Sequence, residues 1–122
     1  MSKEWADLLP AKLRSLGKKL VEAPHAEIAW PVQQGEQLIE SLRSNRHAIL
    51  GGDLYIRKDS TFMPLYATWH CNLKAGELWS TYIERSCNEA LQFVARAGKE
   101  TWFVIVASSS PTVEHVAESR GR

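Results

Sequence analysis

The sequence predicts a single α+β domain in which a small mixed β-sheet of three to four strands is packed by two to three helices. Three observations favour this fold class. The length of 122 residues suits one domain. Stretches with helical and with strand-like hydrophobic spacing follow one another in irregular order. There is no internal repeat, so we assign residues 1–107 to the domain and expect 108–122 to form a polar, flexible tail.

The first third of the chain predicts two helices and a short extended segment. Apolar residues recur at steps of three and four over residues 3–22, and Pro10 divides this stretch into a first turn and a helix over 11–20. Residues 27–30 are predicted to be extended. A second helix then follows, and Asn45 is a plausible stop for it.

The middle of the chain predicts a β-hairpin. Residues 47–57 contain β-branched and aromatic residues around two adjacent glycines, which indicates a strand with a bulge. Residues 58–61 have turn composition, and 62–69 form the second strand. Because Pro64 cannot donate a backbone hydrogen bond, this second strand is expected at an edge of the sheet or at a bulge.

The last elements are a long helix and a buried strand. Residues 77–96 carry one broad apolar stripe, which predicts the best helix in the chain. Gly98 is expected to close it in the left-handed conformation. Residues 101–107 are almost continuously apolar, which predicts a central strand buried on both faces.

Composition and charge exclude several classes of function. The formal net charge is +1 and no large surface of one sign is expected, so neither nucleic-acid nor anionic-membrane binding is indicated. No apolar run approaches the length of a membrane span. The four histidines and two cysteines match no metal spacing, so we expect no metal and no cofactor.

The expected compartment is the cytosol. The first residues lack the apolar core of a signal peptide. Cys71 and Cys87 match no redox pair and are read as free thiols, which fits a reducing environment. The oligomeric state is not predicted.

The most distinctive local feature is Gly51-Gly52-Asp53. Glycines inside a strand weaken it unless the backbone bulges or another group comes very close. One interpretation is therefore a bulge whose Asp53 carboxylate binds nearby backbone amides. A second places Asp53 at a rim that meets a partner. A phosphate-binding loop is disfavoured, because Leu54-Tyr55 stands where Lys-Ser/Thr would be required.

The candidate partner-binding residues are aromatic and acidic. Asp53 and Tyr55 share one face of a strand, and an aromatic beside an anion suits a protein-binding hot spot unless a helix covers that face. Trp69 lies at the end of the following strand. Glu77 and Glu84 on the long helix form a second candidate patch.

Two other classes of function stay open at this point. A small hydrolase could use Cys71 as nucleophile, with His47 or His25 as base, since the adjacent His70 would point to the opposite face of an extended chain. A non-catalytic regulatory subunit is the other alternative. No complete catalytic constellation is recognisable, so the chain is not expected to be an enzyme.

Several motifs together resemble a known family. They are residues 49–55 (Ile-Leu-Gly-Gly-Asp-Leu-Tyr), Trp69, and residues 79–86 (Trp-x-x-Tyr-Ile-x-x-Ser). In these positions the chain resembles bacterial immunity proteins encoded beside polymorphic or contact-dependent toxins, in a family marked by a Gly-Gly-Asp motif and a tryptophan. The resemblance extends over roughly residues 24–107.

The resemblance implies an α+β fold and a protein partner. Such a protein would neutralise a cognate toxin domain by tight one-to-one binding in the cytosol, without a cofactor. The motif positions that carry over to this chain are Gly51, Gly52, Asp53 and Trp69. The near-neutral charge leaves the activity of the toxin open.

Overall fold

An open antiparallel sheet of five strands is the framework of the structure, a computed structural model that describes residues 4–21 and 26–111. The helical elements are a 3-10 turn at Glu4–Leu8, α1 at Ala11–Leu16, a 3-10 turn at Val32–Gln34, α2 at Gly35–Ser44 and α3 at Trp79–Arg96. The strands are β1 at Lys18–Lys19, β2 at Ile28–Pro31, β3 at Ala48–Lys58, β4 at Thr61–His70 and β5 at Thr101–Ser108. Their order across the sheet is β1-β2-β5-β3-β4, and every neighbouring pair is antiparallel.

The predicted α+β class is confirmed, but the expected mixed sheet of three to four strands is wrong in number and direction. The additional strand is β1, which occupies the end of the predicted helix over 11–20. The helix stops early because the chain passes closely over β2 at Gly17. A Cβ atom there would lie 2.6 Å from Cγ2 of Ile28. β5 is antiparallel to both of its neighbours, β2 and β3. Both are distant from β5 in the sequence, so no local sequence pattern predicts the direction of pairing.

The predicted hairpin is confirmed. The ladder between β3 and β5 shifts register between Ile49 and Gly51, which is the expected bulge. At this bulge the amide of Ile49 donates to the hydroxyl of Ser86 on α3 at 2.9 Å, and that hydroxyl is fully buried. The bulge therefore leaves the Ile49 amide to be paired outside the strand ladder, and Ser86 of the long helix accepts its hydrogen bond. β4 lies at the edge of the sheet, as Pro64 predicts.

The ends of the last two elements differ from expectation. Gly98 does not close α3, because the helix ends at Arg96 and its C-cap residue Ala97 is already extended, with φ −75° and ψ 149°. Gly98 instead begins a turn into β5, in which its carbonyl accepts from the Thr101 amide at 3.0 Å. β5 is central, but burial on both faces holds only for its middle. Val106 is 40% exposed. The predicted tail continues beyond the described residues at 112–122, so the domain limit at 107 stays a prediction.

The hydrophobic core lies between the sheet and helices α2 and α3. α3 packs against both α2 and β3. The fully buried side chains include Leu38, Ile39, Leu42, Ile49, Ile83 and Phe103. The N-terminal segment packs beside them: the ring of Trp5 lies 5.6 Å from that of Trp30, whose indole N–H donates to the carbonyl of Leu13 at 2.9 Å.

One close contact fixes the edge strand β4 to the core. Gly52 and Trp69 are cross-strand partners, and a Cβ atom on Gly52 would lie 2.3 Å from the indole ring of Trp69. It would also lie 2.3 Å from the carbonyl oxygen of Val104. The indole stacks on Phe93 of α3 with ring centroids 4.4 Å apart. Glycine at this position is therefore a packing requirement, because the ring occupies the space of a side chain.

We predict that Gly52→Ala destabilises the fold by about 2 kcal/mol or more, because overpacking a filled core typically costs about 1–3 kcal/mol. Urea unfolding followed by tryptophan fluorescence measures the change. Gly98→Ala is the matched control, since a Cβ there meets only Thr101 Oγ1 at an ordinary 3.5 Å. An unfolding free energy for Gly52→Ala equal to that of the control would show that the indole does not require the glycine.

Candidate functional site

Asp53 and Tyr55 lie on the face of the sheet opposite α2 and α3. Leu54, between them, pairs with Phe103, and both side chains are in the core. Because side chains alternate along a strand, Asp53 and Tyr55 point away from that core, beside their β5 partners. The expectation that the two residues share a face thus agrees with the register, and the two long helices pack on the other side.

Aromatic side chains and one arginine form an ordered cluster on this second face. The ring of Phe62 makes edge-on contacts with Tyr55, at a centroid distance of 6.5 Å, and with Trp102 at 5.2 Å. The Arg57 guanidinium lies 5.4 Å from the centroid of Phe62 and 5.2 Å from that of Trp102. These cation–π contacts hold the side chains in place before any partner is present.

The Asp53 carboxylate has no hydrogen-bond partner within residues 4–21 and 26–111. The expected bonds to nearby backbone amides are therefore not found there. The Asp53 charge instead affects the hydroxyl of Tyr55, two positions further along β3. Burial raises the pKa of the Tyr55 hydroxyl, and the carboxylates of Asp53 and Glu27 raise it further. Asp53 thus contributes negative charge to a half-buried, largely aromatic surface.

Trp69 lies in the core. Its exposure is 9%, and its stacking on Phe93 fills the space above Gly52. Its indole nitrogen is buried without a hydrogen-bond partner in the described part of the chain. Trp69 is therefore placed to hold β4 in position, and its own ring offers little surface to a partner.

Glu77 belongs to a network of polar contacts around Arg85. The guanidinium binds both Glu77 carboxylate oxygens, Nε to Oε2 at 2.9 Å and Nη2 to Oε1 at 2.8 Å. It also donates to the carbonyl of Asn72 at 2.7 Å and to Glu89 at 3.3 Å. The Arg85 hydrogen bonds lower the pKa of Glu77 to about 2. This network ties the loop before α3 to the body of the helix.

Glu84 lies in a separate network on the outer face of the helices. It pairs with Arg43 of α2, which also binds Glu40 at 3.0 Å and Asn88 at 2.9 Å. The Glu84 side chain is 60% exposed. The predicted partner-binding residues therefore occupy different places: Asp53 and Tyr55 on one face of the sheet, Trp69 inside, and the two glutamates on the helical side.

The environment of Cys71 does not suit a nucleophile. The thiol is 2% exposed, and burial raises its pKa to about 11, whereas a catalytic cysteine requires a lowered pKa. Its Sγ accepts from Arg85 at 3.2 Å, and Glu89 also lies near it. The His47 ring contacts the carbonyl of Asn45 instead, and His25 lies outside the described residues. Cys87 is fully buried, and burial raises its pKa to about 11 as well. Within the described ranges, no cluster of His, Cys, Asp and Glu could hold a metal ion.

Sequence reasoning missed a group of exposed apolar side chains on the hairpin. Met63, Leu65 and Tyr66 surround Pro64 in β4, and all three are well exposed, as is Ile56 opposite them on β3. The predicted strand over 62–69 gave no indication that these residues would extend beyond the helices. The signal in the sequence was Pro64, since a proline marks an edge strand, which has a neighbouring strand on one side alone.

We predict that stabilisation by Glu77 depends on pH. Its pKa in the folded protein is about 2, below the ordinary value of 4.5. Its contribution is therefore fully present above about pH 4.5 and is lost as the pH falls towards 2. The difference in unfolding free energy between wild type and Glu77→Gln should be largest at pH 7 and should shrink towards pH 3 in denaturant titrations.

Glu36→Gln is the control for this measurement, since Glu36 is an exposed carboxylate of α2 without an ion pair among the described residues. At pH 7 its difference from wild type should be smaller than that of Glu77→Gln, since no ion pair is lost. A Glu77→Gln difference that stays constant from pH 7 to pH 3 would contradict the assigned role of the Arg85 network.

No helix in the described ranges is long and apolar enough to cross a membrane. The chain matches the family model for Immunity protein 40 over residues 12–107. No curated protein and no solved structure matches it. The family match covers β1 to β4, both long helices and all of β5 except its last residue. The chain therefore belongs to the Immunity protein 40 family, and it is an immunity protein that neutralises the toxin of a polymorphic toxin system.

Proposed function

We propose that this immunity protein acts by direct, tight, one-to-one binding to its cognate toxin domain in the cytosol, and that it performs no chemistry of its own. Membership of the Immunity protein 40 family carries the proposal. The environment of the thiols supports it, because both are buried and neither has the lowered pKa of a nucleophile.

The mechanism we propose is steric. A bound immunity protein covers the active site of the toxin or the path by which its substrate enters. The ordered contacts of Arg57 with Phe62 and Trp102 support such a role, because side chains that are fixed before binding lose little entropy when a partner docks. Exposed charged residues around the contact would mainly set the association rate and the choice of partner.

The test is co-expression with the toxin domain encoded beside this protein, followed by calorimetric titration of the purified pair. We expect wild type to restore growth and to bind with a stoichiometry of one. Co-expression with an unrelated immunity protein is the control and should leave the toxin active. Failure to restore growth, or restored growth with no complex between the purified proteins, would contradict direct neutralisation.

A further inference from the structure

Exposed apolar side chains concentrate at the outer part of the β3–β4 hairpin. Of the eight large hydrophobic residues exposed in the described part of the chain, four lie there: Ile56 at 40%, Met63 at 49%, Leu65 at 42% and Tyr66 at 91%. We call these four residues the hairpin patch. Single exposed apolar residues are ordinary on protein surfaces, but a contiguous group usually marks an interaction site.

Two members of the hairpin patch are neighbours across the strands, and the other two follow Met63 closely along β4. Ile56 and Met63 are direct cross-strand partners, so their side chains lie side by side. Ile56 follows Leu54 at the strand repeat of two and therefore lies on the face that α3 covers further along. α3 packs against β3 and meets β4 through the stacking of Phe93 on Trp69. The part of β4 that precedes Trp69 in the sequence extends past this contact, so its side chains are open to a partner.

Tyr66 is held outward by a bulge in β4. Asp53 and Tyr55 are two positions apart on β3, whereas their partners Thr68 and Pro64 are four positions apart on β4. The two additional residues of β4 bow away from the ladder, and Tyr66 has a positive φ of 58° there. A tyrosine in this region is unfavourable by about 1–3 kcal/mol, so the strain is retained where the surrounding structure imposes it and is common at functional sites.

The free edge of β4 is unsuited to pairing with another strand. Pro64 has no N–H to donate, and the bulge at Tyr66 interrupts the row of backbone groups. Both features are devices by which natural edge strands avoid adding a further strand. A partner would therefore engage this region through the side chains of the hairpin patch and not through the backbone.

The size of the hairpin patch argues against a second copy as its occupant. Its four side chains expose on the order of 500 Å², more than half of the roughly 800 Å² that each partner contributes to a standard interface. Two copies joined patch to patch would bury about 1,000 Å² in total, below the roughly 1,200–2,000 Å² of stable complexes. The toxin domain, the partner that the family match implies, is not limited to a two-fold contact centred on the hairpin patch and can also cover the surface around it.

We propose that the hairpin patch is the apolar centre of the surface that binds the cognate toxin domain, an inference that rests on the proposed direct binding. Tyr66 inserts into an apolar depression on the toxin. Lys58, exposed next to the hairpin turn and on the same strand face as Ile56, meets a carboxylate at the border of that depression, with Asp59 as the opposing charge at the turn. Tyrosine is among the residue types that commonly dominate binding energy at the centre of an interface.

The test uses Met63→Ser/Tyr66→Ala in the full-length protein, titrated with the purified toxin domain. We expect the dissociation constant to rise at least about tenfold, since central aromatic residues commonly contribute this much. Tyr66→Phe should bind like wild type, because the ring is retained. Leu78→Ala is the matched control: Leu78 is 70% exposed but lies outside the hairpin patch, and its substitution should change affinity less than about twofold.

The outcomes separate this proposal from the proposed function. If wild type and Met63→Ser/Tyr66→Ala bind the toxin equally, the hairpin patch is not the binding surface, while direct neutralisation stands. If wild type binds no toxin, direct neutralisation fails and this proposal fails with it. If wild type is a dimer that Tyr66→Ala converts to a monomer, a second copy occupies the hairpin patch and the proposal is overturned. Unchanged urea unfolding of the variants confirms that they are folded.

Discussion

The packing of Trp69 between Gly52 and Phe93 is the contact on which the rest of the structure depends. The edge strand β4 has one neighbouring strand, β3, and this indole joins it to the long helix α3 by stacking on Phe93. The ring needs the space that Gly52 leaves open, because any side chain on Gly52 would overlap it. The contact fixes one end of the hairpin in the core, and the other end extends beyond the helices.

This arrangement separates the parts that maintain the fold from the parts available to a partner. The networks around Arg85 and Arg43 tie the helices and the preceding loop together, so their glutamates already have partners. The outer hairpin, by contrast, carries apolar side chains that no described helix covers. For an immunity protein this division is useful, because a rigid body can present a binding surface whose sequence is free to follow that of the toxin.

Local patterns in the sequence predicted part of this structure correctly. The glycine pair and Pro64 predicted the bulge and the edge strand, because backbone restrictions act locally. The apolar stripe predicted α3 to within two residues of its start. The burial of Trp69 was not predicted, because it depends on Phe93, a residue 24 positions away that stacks on it. The pairing of β2 with β5 and the short β1 also depend on distant contacts.

Hydrogen exchange of the free protein and of its toxin complex tests the central claim most directly. The outward amides of β4 have no neighbouring strand and should exchange rapidly in the free protein. If the outer hairpin faces the toxin, exchange over residues 56–66 slows in the complex, while the outer faces of α2 and α3 are unchanged. Slowed exchange confined to α2 and α3, with the hairpin as fast as in the free protein, would contradict the account.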